Sequence, residues 1–215
     1  MNTRSLRRLT LPAVLLVSLA AAAPSAHALG FAEAAGSPYL GGDLSESAVA
    51  DFDGDGNADI VTAYATPPYT TTPRVGEVVV RLGDGSGGFT ARAPVVPDAA
   101  PDSLAVGDLD GDGAPDVVAV GIDGTLTALL GDGDGDLTRA WTSGALGRRP
   151  SVTIADVTGS SAPDLLVSEY FSFAPGRVDV LVGAGDGTFS PGTTIAVNQG
   201  PSRAAIADLD GDGIK

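Results

Sequence analysis

The chain has 215 residues, 27 of them acidic and 12 basic, with a formal net charge of −15 and no cysteine. A balance that acidic argues against nucleic acid and anionic lipid as partners, since both need a basic face. Without cysteine there are no disulfides, no thiolate nucleophile and no zinc site built on thiolates.

Residues 1–28 read as an export signal. Arg4, Arg7 and Arg8 form a basic start, Leu9 to Ala23 are uncharged and apolar, and Ala26-His27-Ala28 is a small-x-small cleavage site. Fifteen apolar residues interrupted by Pro12 fall short of the roughly 20 that span a bilayer. Cleavage after residue 28 removes three arginines and the only histidine, leaving 9 basic against 27 acidic residues, a net charge of −18. The mature chain, residues 29–215, is then expected outside the cell, with no histidine base for a serine hydrolase.

Phe31 opens what reads as the last strand of a repeat unit. The loop "DFDGDGNAD", Asp51 to Asp59, follows, then the strand "DIVTAYA" and a long insertion, Tyr64 to Gly76. A glycine-rich marker, "GDGSGGF", ends at Phe89 and leads into "FTARAPVV". The same succession returns with "SLAVGD", the loop "DLDGDGAPD" at Asp108 to Asp116, "DVVAVG", "TLTALLG" and the marker "GDGDGDL" ending at Leu137. It returns again with "DVTGSSAPD" at Asp156 to Asp164, "RVDVLVG" and "GAGDGTF" ending at Phe189, and begins once more with "DLDGDGIK" at Asp208 to Lys215.

From the last residue of each marker to the next first aspartate the count is always 19, whereas from first aspartate to marker glycine it is 32, 23 and 27. The length changes therefore fall in the middle of the unit. Short valine-rich runs bounded by glycine and aspartate are expected of strands buried on both faces. Repeats of this period built from strands point to an all-β fold of propeller blades, each of four antiparallel strands, because one small sheet cannot bury both faces alone. Three complete units and two partial ones do not readily close a ring of roughly four to eight blades. The sequence is accordingly read as a fragment, its missing blades supplied by further sequence or by another chain.

The loops follow D-x-D-G-D-G-x-x-D. Alternate carboxylates in a tight turn converge on one point, and an oxygen-only donor set with several formal charges suits a hard cation of calcium's size. The glycines allow the positive φ that the bend needs. Two unit charges 4 Å apart repel by roughly 1 kcal/mol in water and about 4 at an effective dielectric of 20, so several acids in one loop call for a cation. Turn chemistry alone accounts for the second marker, where only the glycines and the final apolar residue keep position. An EF-hand is excluded by spacing, with Thr62 and Ala119 at the twelfth positions and strands on either side.

"VADFDGDGNADIVTA", "VGDLDGDGAPDVVAV" and "IADLDGDG", with "LGDGSGGF" and "VGAGDGTF" between them, make the chain resemble the FG-GAP/VCBS repeat. That repeat is the unit of the integrin α-subunit β-propeller and of many secreted bacterial proteins. The resemblance implies calcium at Asp51, Asp53, Asp55, the Asn57 carbonyl and Asp59, and at Asp108, Asp110, Asp112, the Ala114 carbonyl and Asp116. In the last loop it implies Asp208, Asp210, Asp212 and the Ile214 carbonyl. In the third loop Thr158 and Ser160 stand where two acids are expected, leaving Asp156 and Asp164 as a weak or lost site.

The expected function is a secreted calcium-binding propeller module, not an enzyme, for which the resemblance implies an adhesion or recognition role toward an extracellular protein or carbohydrate. Two insertions, Tyr64 to Gly76 and Ser168 to Arg177, are its candidate contact loops. The competing readings are the propeller part of an extracellular enzyme, such as a polysaccharide-degrading protein with catalysis here or beyond residue 215, and a purely structural repeat array.

Overall fold

The computed structural model describes residues 43–65, 76–146, 150–169, 176–198, 201 and 205–208. The export segment, Phe31, most of both insertions and nearly all of the fourth loop lie outside these. Every described element belongs to the unit Ala32–Lys215.

Twelve strands form three four-stranded antiparallel sheets, each a simple meander in sequence order. Blade 1 holds β1 (Asp43–Ala50), β2 (Asp59–Ala65), β3 (Gly76–Gly83) and β4 (Phe89–Ala91). Blade 2 holds β5 (Pro101–Gly107), β6 (Asp116–Gly121), β7 (Leu126–Gly131) and β8 (Leu137–Thr142). Blade 3 holds β9 (Ser151–Ala155), β10 (Asp164–Glu169), β11 (Gly176–Gly183) and β12 (Phe189–Val197). No helix occurs among the described residues. The expected all-β architecture of four-stranded blades is the one found.

The first strands of successive blades lie side by side, β1 against β5 and β5 against β9. Period-two alternation then turns the two faces of blade 2 toward its two neighbours. In β6, where every residue is buried, Val117 and Ala119 pack toward blade 1 while Val118 and Val120 pack toward blade 3. The apolar interior is accordingly two seams. Between blades 1 and 2 lie Phe52, Val61, Ala63, Val78 and Val80 against Leu104, Val117, Ala119 and Leu129. Between blades 2 and 3 lie Leu109, Val118, Val120, Leu126 and Ala128 against Leu165, Val167, Leu181 and Phe189.

One expected strand is shorter than its sequence suggests. "FTARAPVV" pairs regularly with β3 only over Phe89–Ala91. Just past it the Arg92 N–H still reaches the Val80 carbonyl at 2.9 Å. Pro94 has no N–H to give, and beyond it pairing resumes as an isolated two-way bridge between Val78 and Val95, each bond 2.9 Å.

Candidate metal centre

Each aspartate loop joins the first strand of a blade to the second, and each glycine-rich marker joins the third to the fourth, so both turns sit at the same end of the sheet. The loop is held first by its own carboxylates. Asp51 accepts from the N–H groups of Asp55 (3.1 Å) and Gly56 (2.9 Å), and Asp108 from those of Gly111 (2.7 Å) and Gly113 (3.1 Å). At the sixth position Gly56 and Gly113 have φ of 86° and 91°, the left-handed region open to glycine.

The ninth position closes the structure. Asp59 is fully buried; its Oδ2 accepts from Phe52 N–H at 2.6 Å and its Oδ1 from Gly83 N–H at 2.7 Å. Asp116 does the same with Leu109 (2.5 Å) and Gly131 (2.8 Å). Asp164 accepts from Val157 (2.9 Å), Thr158 (3.0 Å) and Gly183 (3.0 Å). The marker glycine must be glycine because a Cβ on Gly83, Gly131 or Gly183 would come within 2.0–2.4 Å of the eighth-position carbonyl oxygen. Sequence spacing hid this clamp, since the two partners lie 24, 15 and 19 residues apart. Its one visible trace was the survival of Asp164 in a loop that had lost other acids.

In the first loop, carboxylate oxygens of Asp51, Asp53 and Asp59 lie within 4.8 Å of one another. In the second, Asp108, Asp110 and Asp116 do the same. The fifth-position acids stand apart. Asp55 is exposed and accepts from the Asn57 backbone (2.7 Å) and side-chain (2.8 Å) N–H groups, and Asp112 accepts from Ala114 N–H at 2.8 Å. Asn57 and Ala114 are both half-buried. Of the fourth loop only Asp208 falls among the described residues, and it is exposed; Asp210, Asp212 and Ile214 lie outside them.

The third loop keeps its turn without acids at the third and fifth positions. Asp156 accepts from the N–H groups of Gly159 (2.7 Å), Ser160 (3.2 Å) and Ser161 (3.0 Å). Thr158 and Ser160 are exposed, and Ser161 takes the left-handed conformation at φ 71° where the other loops have glycine.

Electrostatics separates the loops. Desolvation, with the charges of Asp55, Asp59 and Asp51 added, holds Asp53 above the usual carboxylate range. Desolvation, aided by Asp110 and Asp112, pushes Asp116 up to about 6 despite its backbone hydrogen bonds. Asp156, in a loop with no acid at its third or fifth position, goes the other way: desolvation is the largest single influence and raises it, but the N–H groups of Ser161, Gly159, Ser160 and Thr158 together hold it below the usual range. Three converging carboxylates with oxygen as the only donor element suit a hard cation, and each of the two acidic clusters, Asp51, Asp53 and Asp59 and Asp108, Asp110 and Asp116, could hold a metal ion.

The markers are hairpin turns. Asp84 Oδ1 accepts from Ser86 N–H, Ser86 Oγ and Gly88 N–H, and Asp132 Oδ1 from Asp134 and Asp136 N–H. Local hydrogen bonding accounts for their acids.

The family model described as the FG-GAP-like repeat matches residues 51–119 and 108–167, together more than half of the chain. The chain belongs to the FG-GAP-like repeat family. A search of curated proteins found no match. In FG-GAP terms, the two matches include the three complete aspartate loops, the acidic first and second and the third that lacks two acids.

A second charged group went unseen in the sequence. Glu169, fully buried on β10, accepts from Arg177 Nη2 at 2.7 Å, while Arg177 Nε stands 2.9 Å from Asp179 Oδ2. Thr194 Oγ1 donates to Asp179 Oδ1 at 2.6 Å, and Glu169 Oε2 has no hydrogen-bond partner. Burial holds Glu169 above the usual carboxylate range, opposed by Arg177 and reinforced by Asp179. Cross-strand pairing explains the meeting, since Glu169 lies opposite Arg177 and Val167 opposite Asp179.

Proposed function

We propose that this FG-GAP repeat chain is a secreted β-propeller module whose first two aspartate loops bind calcium for structural reasons. The observation that carries the reading is the convergence of Asp51, Asp53 and Asp59, and of Asp108, Asp110 and Asp116, with Asp53 in the first loop and Asp116 in the second held above the usual carboxylate range. Bound calcium would supply positive charge and coordination bonds to those oxygens. The chain's own residues do the rest: the aspartates set the loop, and Asp59 and Asp116 tie it to the ends of β3 and β7. Secretion is inferred from the export-like segment at residues 1–28. Recognition of an extracellular protein or carbohydrate is assigned to the edge opposite the loops, where the connections between second and third strands change in length from blade to blade.

A ligand at a hundred times its Kd adds about 2.7 kcal/mol of stability per site. Thermal melts of the mature chain in millimolar calcium and in EGTA test the reading, with an expected rise in Tm of several degrees on adding calcium. Equal midpoints would end it. A glycan and protein array then tests the recognition role, for which saturable binding without turnover is expected.

A further inference from the structure

The second residue of each acidic loop does not stay in the loop. Phe52 is 1% exposed and lies in the seam between blades 1 and 2, with Leu104, Val117 and Leu129 of the next blade. Leu109, also 1% exposed, lies in the seam between blades 2 and 3, with Leu165, Val167, Leu181 and Phe189. In both cases the residue's own N–H is held by the ninth-position carboxylate, Phe52 by Asp59 and Leu109 by Asp116. That carboxylate also belongs to the cation cluster and also holds the end of the blade's third strand.

We infer that each acidic loop controls the seam between its own blade and the next, the second-position side chain acting as the link. The inference rests on the calcium reading and deepens it. When the carboxylates of Asp108, Asp110 and Asp116 repel one another, the hold of Asp116 on the Leu109 N–H loosens with them. When they are drawn together, Asp116 fixes the Leu109 backbone and the side chain is set between the two blades. Loop 1 acts in the same way through Phe52 on the first seam. Each cluster should therefore act on one seam.

The protein carries a reporter for this. Trp141 is the only tryptophan and packs in the second seam, edge-on to Phe189 at 5.2 Å between ring centres. It takes no part in the cluster of the first seam. Its emission therefore reads the seam governed by loop 2.

The test titrates calcium chloride into the metal-free full chain, following Trp141 emission and, in parallel, the heat of binding. The expected result is a calcium-dependent blue shift in the wild type. Asp110→Asn should move its midpoint about tenfold or more, near 1.4 kcal/mol, and Asp53→Asn should leave it within about twofold. Leu109→Ala keeps every acid and should bind calcium with a weakened emission change, which separates linkage from lost binding. Binding heat with no change in wild-type emission would overturn the inference and leave the calcium reading standing, as would an equal effect of Asp53→Asn and Asp110→Asn. No binding heat at all would remove both.

Discussion

Asp116 accepts two backbone N–H groups and sits near the charges of Asp110 and Asp112, and burial outweighs the hydrogen bonds. Its folded pKa of about 6 lies above the usual 3.8, so the folded state holds this proton more tightly than the unfolded chain does. The sign follows directly. The contribution is fully present below the ordinary carboxylate pKa and is lost as pH rises through about 6. Glu169, also held high by burial, pushes the same way. Metal-free protein is therefore expected to lose stability between about pH 4.5 and 6.5, read from urea midpoints in chelator-treated buffer. Calcium should add most above that window, where Asp116 gives up its proton. A metal-free midpoint that climbs steadily across it would contradict this account.

The aspartate loop as an element is two devices superimposed. Positions 1 and 9 organise backbone, and they survive in all three complete loops; positions 3 and 5 carry the extra charge, and the third loop lacks both acids. The third loop shows the turn standing on its hydrogen bonds alone, at the cost of Ser161 in the left-handed region. That conformation costs roughly 1–2 kcal/mol for a residue with a Cβ, part of which glycine gives back in unfolded-chain entropy. Ser161→Gly should stabilise the chain by about 0.5–1 kcal/mol, with calcium or without it, in chemical denaturation. A loss of stability would mean that the serine side chain contributes something its exposed position does not suggest. The charge pattern in the loops and the hairpin chemistry of the markers were both legible in the sequence. The reach of Asp59 to Gly83 was not, because a contact across a connection of variable length leaves no constant spacing.

The assembly of blades is carried by two thin apolar seams, each fed by one face of each sheet and plugged by one loop residue. Removing a large side chain from such a seam leaves a cavity between rigid sheets that cannot easily collapse. Phe52→Ala should cost about 3–5 kcal/mol, the usual range for a buried phenylalanine. Val49→Ala, on β1 at 59% exposure, should cost less than about 0.5. Denaturant curves on the two variants decide it; similar losses would mean that the stability of blade 1 does not reside in its seam with blade 2.

Repetition made the architecture readable before any coordinates. A constant 19-residue interval, short valine-rich runs and recurring aspartate turns mark where strands begin and end, because glycine and aspartate punctuate the chain locally and continuous apolar runs suit strands buried on both faces. The resemblance in "DFDGDGNAD" and "DLDGDGAPD" pointed to the family that the match to FG-GAP-like repeats shows. What needed the folded chain was every contact between residues far apart in sequence. The ninth aspartate became a clamp, the second residue a seam plug, and Glu169 a buried partner of Arg177. These depend on which sheet faces meet and how closely, and the energy of such meetings is set by packing in three dimensions rather than by spacing along the chain.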